Sequence, residues 1–144
     1  MPKYNRLILK NTYIILEEGL IGMGERSSSG FLLKQRAFLK LYLITLIEQK
    51  HLYGLRLRDL LKEEFKQFGY QPNHPEIYKS LHDLIEQGII YQVKEKKEGK
   101  KYQEVVYYRF TKDGPELAKS YKKLLKAELD RCIGLLEKAV RDNY

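Results

Sequence analysis

The fold is decided by the stretch from Gln71 to Tyr108, which reads QPNHPEIYKSLHDLIEQGIIYQVKEKKEGKKYQEVVYY. It opens with a helix start, because Asn73 can cap a helix and Glu76, three residues on, completes a capping-box pattern. Pro75 fits the first turn of a helix, where its missing N–H group costs little. Gly88 is typical of a helix end. The helix has one apolar stripe at helical spacing, formed by Ile77, Leu81, Leu84 and Ile85.

A β-hairpin with a basic tip is predicted to follow this helix. The first strand places Ile89, Tyr91 and Val93 on one face, and the second strand runs over residues 105–110. The connecting segment, residues 94–101, contains five lysines and two glutamates, and Gly99 allows a tight turn. A short amphipathic helix joined to a lysine-rich hairpin offers duplex DNA two separate probes.

The rest of the chain supplies three more helices and a connector. Residues 31–49 are apolar on most sides and predict a central helix. Residues 51–54 are a short connector that can form one β-bridge, and residues 55–68 predict a second helix that ends at Gly69. A last helix is predicted over residues 116–141. This order predicts an α+β fold, a winged helix-turn-helix with an additional long C-terminal helix.

The last helix carries a heptad seam, which predicts dimerisation. Its apolar positions Leu125, Leu129, Cys132, Leu136 and Ala139 step by 4, 3, 4 and 3, and Tyr121 extends them toward the N-terminus. We interpret this seam as an antiparallel coiled coil between two subunits. The alternative is a helix that packs back on its own domain.

These elements divide the chain into four predicted segments. Residues 24–30 form a flexible arm, residues 31–113 the winged-helix domain and residues 114–144 the dimerisation helix. Residues 1–23 are an uncertain N-terminal extension. Because the codons of residues 17–19 can supply a ribosome-binding site, we hypothesise that the native protein begins at Met23.

Composition favours a polyanionic partner. The chain has 144 residues, a formal net charge of +8 and a pI of about 9.4. This length suffices for one domain with a real core, and the charge favours binding to phosphates. The single cysteine, Cys132, excludes an internal disulfide and fits a reducing compartment. No apolar run reaches the roughly 20 residues of a membrane span. We therefore expect a cytoplasmic, nucleoid-associated protein.

Nothing in the sequence assembles an active site. His51, His74 and His82 lack the spacing of metal ligands, and Cys132 falls on the heptad seam. The sequence contains neither a phosphate-binding glycine loop nor a carboxylate pair with a base beside it. The expectation is a protein that is not an enzyme and has no metal and no cofactor.

Several polar residues are candidates for DNA contacts. On the predicted recognition helix, Lys79 can contact guanine or phosphate, Glu76 can accept from cytosine, and Ser80 can contact a base edge or the backbone. The lysines of the hairpin tip can spread along the phosphate backbone; these are Lys96, Lys97, Lys100 and Lys101. A further set lies in the arm and the first helix: Arg26, Ser27, Ser28, Lys34 and Arg36. The alternatives are an ordinary solvated helix face, a solubilising turn and a disordered terminus.

Five stretches resemble one known family, the replication terminator proteins of bacillus-type Gram-positive bacteria. They are residues 27–42, 72–78 with 80–82, 96–99, 103–106 and 128–132. The resemblance covers about residues 24–144, with a small length difference near residues 112–115, and it leaves residues 1–23 outside.

This resemblance implies a homodimeric winged-helix protein that binds terminator sites on the chromosome. In the family, two dimers occupy one full site, and the complex blocks forks from one direction by impeding the replicative helicase. By likeness, the DNA contacts include the arm residues 26–29, Lys34, Arg36, Glu76, Lys79, Lys94, Lys96 and Lys97, and Tyr53 lies on the helicase-contacting surface. Lys79 stands where the family commonly has arginine, and Lys50 stands where it can carry an acid. Tyr91 replaces a basic residue on the first wing strand.

Two other readings of the sequence stay open at this point. One is a dimeric winged-helix transcriptional regulator, similar to the phenolic-acid repressor family, which would need a ligand pocket or a promoter operator. The other is a dimeric interaction module whose basic wing binds nothing specific.

Overall fold

A computed structural model of the chain describes residues 30–96 and 104–144, together with the backbone of residues 14–15 and 20–21. Strands β1 (Ile14–Ile15) and β2 (Leu20–Ile21) pair antiparallel. The helices that follow are α1 (Gln35–Glu48), α2 (Gly54–Glu64) and α3 (His74–Glu86), with a 3-10 turn at Lys66–Phe68. The hairpin strands are β3 (Ile90–Lys96) and β4 (Glu104–Phe110), and α4 (Gly114–Asn143) ends the chain. The predicted α+β fold is confirmed.

Helix α3 begins as its sequence predicts. The Asn73 side chain accepts a hydrogen bond from the backbone N–H of Glu76 at 2.9 Å, and Pro75 lies in the first turn. At the other end, Gly88 has a φ of 77°, a left-handed conformation that glycine adopts without steric cost. Both ends of the helix are therefore fixed by residues within the deciding stretch.

Helices α1 and α2 are shorter than the sequence pattern predicts. Residues 31–34 precede α1 without being helical, and Phe31 is exposed, so extending the helix would bury no ring there. Helix α2 ends at Glu64, because the chain tightens into the 3-10 turn and Gly69 then adopts a φ of 76°. Between the two helices, Tyr53 forms an isolated antiparallel bridge with Tyr107, so the predicted single bridge is confirmed.

Strands β3 and β4 pair antiparallel from Ile90 opposite Phe110 to Lys96 opposite Glu104. The end of the hairpin is tied back to α3 by Thr111, whose hydroxyl donates to the Gly88 carbonyl at 2.6 Å. Gly114 allows the close approach that follows, since a Cβ there would lie 2.3 Å from the Ile89 carbonyl oxygen. These contacts fix where the hairpin leaves the helix.

The chain divides into two compact units, Leu39–Pro115 and the combination of Met1–Phe38 with Glu116–Tyr144. The core of the first unit is mostly aliphatic, with two buried aromatic rings; it contains Leu39, Leu43, Ile44, Ile47, Leu57, Leu61, Phe65, Ile77, Leu81, Leu84, Ile89, Ile90 and Tyr108. It unites the apolar stripe of α3 with those of α1 and α2.

Within the described residues, none of the helices has an apolar stretch that could cross a bilayer.

In the second unit, helix α4 packs its N-terminal half within its own chain. The Tyr121 hydroxyl donates to the Ala37 carbonyl at 2.9 Å and is buried. Leu125 and Cys132 are also buried, whereas Leu129 is half-buried and Leu136 and Ala139 are exposed. Three of the six positions assigned to a dimer seam are thus covered in a single chain, as the alternative reading of this helix expects.

Candidate nucleic-acid interface

Helix α3 presents one polar face outward. Its exposed side chains are His74, Pro75, Tyr78, Lys79, His82 and Glu86. His82 and Glu86 pair with each other at 3.2 Å, whereas Lys79 makes no ion pair within the described part of the chain. Within the described residues, the outward face of α3 therefore offers a lysine without an ion-pair partner in the second turn of the helix.

Glu76 is held on both sides by its backbone. Its N–H donates to Asn73, and its carbonyl accepts the Ser80 hydroxyl at 2.7 Å. Its half-buried side chain lies near Tyr70. Burial raises the pKa of the Tyr70 hydroxyl, and the negative charge of Glu76 raises it further. The first turn of α3 is therefore rigid at the residue predicted to accept from cytosine.

Ser80 does not lie on the outward face where the sequence analysis placed it. Its side chain is fully buried, and its hydroxyl is bonded within the helix to the Glu76 carbonyl. Helical serines often satisfy themselves in this way, and the hydroxyl then faces no outside partner. The residue supports the first turn instead of reaching a base edge in this structure.

The wing, defined as β3 and β4, separates its side chains by alternation. Lys94 and Lys96 are both exposed and project from the same face, about 7 Å apart along the strand. Lys94 lies opposite Val106, and Lys96 lies opposite Glu104. The remaining predicted wing residues, Lys97, Lys100 and Lys101, lie outside the described residues.

The predicted contacts of the N-terminal region fall in the other unit. Arg26, Ser27 and Ser28 lie outside the described residues. Lys34 is exposed just before α1, and Arg36 is half-buried in its first turn, which contains no acidic residue. Basic side chains at a helix start suit an approaching phosphate.

Tyr108 is a buried residue of the wing that lies near Tyr78 of α3. Gln92 donates to its hydroxyl at 3.1 Å, and the ring is buried. Burial raises the pKa of the Tyr108 hydroxyl, and the charge of nearby Tyr78 raises it as well, while the hydrogen bond from Gln92 opposes the rise. The backbone N–H of Tyr108 donates to the Leu52 carbonyl at 3.0 Å, so this residue ties β4 to the connector.

Tyr53, the predicted helicase contact, is exposed, and its ring lies 5.6 Å from that of Tyr107. The Arg109 guanidinium also lies 5.2 Å from the Tyr107 ring centre, and the sequence did not predict that these three residues lie together. Strand alternation indicates that residues 107 and 109 lie on the same face of β4. The sequence does not indicate that the connector pairs with this strand at Tyr107.

The C-terminal half of α4 exposes an apolar stripe. Ile133, Leu136 and Val140 are exposed large side chains at helical spacing, and half-buried Leu129 leads into them. Leu136 and Val140 line an open apolar hollow together with Glu137 and Arg141.

The described residues also include no group of three His, Cys, Asp or Glu side chains that could hold a metal ion.

Three helices, a two-stranded wing and a connector bridged to the wing define a winged-helix protein. The fold matches a candidate transcriptional regulator from Thermoplasma acidophilum with a TM-score of 0.54 and 19% identity, over 72% of this chain and 92% of that one. At this identity the likeness establishes the fold alone.

The sequence comparisons are more specific. A model of the family "Replication terminator protein" matches residues 30–144. The replication termination proteins of Bacillus subtilis and Bacillus spizizenii are each 62% identical over 120 residues, which is 83% of this chain and 97% of theirs. The chain belongs to the replication terminator protein family, so the resemblance seen in the sequence is confirmed.

Proposed function

We propose that this protein binds replication terminator sites on duplex DNA as a homodimer and arrests replication forks that arrive from one direction. The observation that carries the proposal is the family membership, with 62% identity to replication termination proteins over nearly their whole length. The protein acts as a bound barrier on the chromosome in the cytoplasm, and it is not an enzyme.

The geometry supports two kinds of DNA contact. Helix α3 enters the major groove with its N-terminal half, where Lys79 is exposed without an ion-pair partner and Glu76 is held rigid. The paired lysines Lys94 and Lys96 on the wing contact phosphates. Phosphate contacts set register and affinity, while contacts to base edges carry sequence information. We assign the specificity of the complex to α3 and much of its affinity to the wing, the N-terminal arm, Lys34 and Arg36.

The exposed stripe of α4 supports the dimer. A row of large apolar side chains in water is costly, and an antiparallel pairing of two α4 helices would cover Ile133, Leu136 and Val140. A two-fold dimer would place two α3 helices in half-sites about one helical turn apart. Two dimers on one full site, bound with unequal strength, would give the complex its direction.

Fork arrest requires the complex to impede the replicative helicase. Tyr53 is the residue of this chain that we assign to helicase contact, since it is exposed beside the wing and its backbone is fixed by the bridge to Tyr107. Tight DNA binding and this contact act together in the proposal.

The experiment that tests the proposal combines footprinting with fork mapping. The protein is footprinted on the chromosome of its host, and one protected site is then cloned into a plasmid in both orientations. The proposal expects replication intermediates to accumulate at the site in one orientation only. Arrest in neither orientation, or protected sites confined to promoters with altered transcription, would contradict it and favour the transcriptional regulator instead.

A further inference from the structure

The outer face of the wing carries a connected row of aromatic side chains. Strand pairing sets Tyr91 opposite Arg109 and Val93 opposite Tyr107, and the bridge sets Tyr53 opposite Tyr107. Directly paired residues point to the same side of a sheet, so these groups share one face. We call Tyr53, Tyr91, Tyr107 and Arg109 the tyrosine strip. It crosses three neighbouring backbone segments, a span of about 10 Å.

The strip is accessible, and Tyr53 and Arg109 both lie against the Tyr107 ring. Tyr53 is 54% exposed and Tyr91 is 45% exposed. The Tyr53 and Tyr107 rings lie 5.6 Å apart, and the Arg109 guanidinium lies 5.2 Å from the centre of the Tyr107 ring. Tyr108, one residue along β4, points to the opposite face and is buried. The outer rings are therefore not part of the core that the inner face of the hairpin closes.

The chemistry of the strip suits unpaired bases. Exposed aromatic rings provide stacking surfaces for any base, and cations beside them bind the connecting phosphates. Arg109 makes no ion pair within the described part of the chain, and a guanidinium held against a ring keeps its N–H groups available to a phosphate. Bases in a duplex are already stacked on one another, so a row of rings selects single strands.

We propose that the tyrosine strip binds single-stranded DNA, with bases stacked on Tyr53 and Tyr91 and a phosphate bound by Arg109. Glu95 gives the surface a direction, since its carboxylate lies toward the hairpin tip and accepts the Tyr107 hydroxyl at 3.0 Å. The phosphate backbone therefore runs on the Arg109 side of the rings.

This surface is separate from the one proposed for duplex DNA, although it shares Tyr53 with the proposed helicase contact. Lys94 and Lys96 alternate onto the opposite face of β3, and Lys79 lies on α3. Single-strand binding is measured separately from duplex binding and fork arrest, so either proposal can be wrong while the other is right.

The test measures binding of the full-length protein to fluorescein-labelled oligothymidine of about 12 nucleotides by fluorescence anisotropy. Combined Tyr53→Ala and Tyr91→Ala substitutions are expected to weaken this binding by about tenfold or more, because each removes a stacking surface. Tyr91→Phe keeps the ring and should retain binding, while Arg109→Gln should weaken it. Phe68→Ala removes an exposed ring outside the strip and serves as the matched control.

Two further measurements decide the outcome. Tyr91→Ala should leave affinity for the terminator duplex unchanged, and ultraviolet crosslinking of bound oligothymidine should map to Tyr53 or Tyr91 by mass spectrometry. Equal oligothymidine binding by the wild type and the double variant would overturn the proposal. So would crosslinks confined to α3. A Tyr91→Ala variant that loses fork arrest with unchanged single-strand binding would also overturn it, since that ring would then serve a protein partner.

Discussion

Lys79 is the side chain on α3 that best tests whether this helix recognises the DNA sequence. It is exposed and makes no ion pair within the described residues. Lysine supplies one point charge, whereas arginine supplies a planar fork that matches the two acceptors of guanine. This chain therefore holds the charge of the contact without its bidentate geometry.

We predict that Lys79→Ala weakens binding to a terminator duplex by about 1–3 kcal/mol. Lys79→Arg is expected to restore affinity and to sharpen discrimination at one base pair. Anisotropy titrations against the site and its single-base variants measure both effects. Lys126→Ala is the matched control, because that lysine is already paired with Asp130 at 2.8 Å. If Lys79→Ala binds as tightly as the wild type, α3 does not enter the groove as proposed.

Tyr108 gives the wing a pH-dependent support. Burial raises the pKa of its hydroxyl above the ordinary value of 10.0. The folded protein then keeps a proton that the unfolded chain has lost, so stability is full below pH 10 and falls as the pH rises through the folded pKa. We expect the free energy of unfolding, measured with urea, to decline above pH 10 less steeply in Tyr108→Phe than in the wild type.

Tyr108→Phe should also lower the free energy of unfolding at neutral pH, where the hydroxyl does not titrate. This loss is therefore measured separately from the effect of high pH. Tyr108→Phe removes the acceptor of the Gln92 amide, and we expect a loss of about 1 kcal/mol. Tyr144→Phe, which changes a fully exposed ring, is the control. Identical pH dependence in all three proteins would show that Tyr108 does not contribute to the alkaline loss.

At the scale of elements, α3 was predictable because its signals are local. The cap at Asn73, the proline of the first turn and the glycine after the helix act within a few residues of the backbone they govern. The hairpin was predictable for the same reason, since alternation and a glycine-containing tip specify two adjacent strands. Helices α1 and α2 are shorter than predicted, because solvent exposure at Phe31 and a left-handed glycine decide their boundaries, and α4 extends two residues beyond the prediction at each end.

What the sequence could not supply is which neighbour covers a face. The 4-3 spacing of α4 establishes that its apolar residues share a side, but it does not distinguish the chain's own packing from a second subunit. Tyr121 and Leu125 turn inward, and the exposed stripe shifts to Ile133, Leu136 and Val140. The same limit applies to Ser80, because helical periodicity does not distinguish a hydroxyl that faces DNA from one that bonds within its own helix.

The cap of α3 yields an element-scale prediction. Asn73→Ala leaves the Glu76 N–H without its acceptor, and we expect a loss of about 1 kcal/mol in the free energy of unfolding. Asn73→Asp retains an acceptor and should lose much less. Urea unfolding monitored by circular dichroism measures the difference. Equal stability of the alanine variant and the wild type would show that the cap does not hold the helix.

The exposed apolar stripe of α4 yields a prediction about dimerisation. A charge at Leu136 or Val140 would be buried without a partner in a helix pair, so Leu136→Asp and Val140→Asp should convert dimers to monomers. Sedimentation equilibrium gives the mass directly. Ala127→Asp places the same charge at an exposed position outside the stripe and should leave the dimer intact. A monomeric wild-type protein would remove the dimer from the proposed function.

At the scale of the whole molecule, charge and symmetry combine. The net charge of +8 per chain is doubled in a dimer, and the proposed contacts place lysines from both wings against the same duplex. Counterion release then makes affinity fall steeply with salt, by about 0.9 in the logarithmic slope for each phosphate neutralised. The slope therefore counts phosphate contacts, and it does so separately from base reading by α3.

We predict that replacing Lys94 and Lys96 by alanine lowers the magnitude of this slope by about 4 per dimer, since two contacts are lost from each wing. Affinity should fall at low salt for every duplex alike, while preference for the terminator sequence stays. Anisotropy titrations across a salt series measure the slope. Lys138→Ala, whose lysine is already paired with Asp142 at 2.7 Å, removes a charge of the same sign without a free contact and should leave the slope unchanged. A wing variant with the wild-type slope would place these lysines away from the phosphates, and the affinity would then have to come from α3 and the N-terminal region.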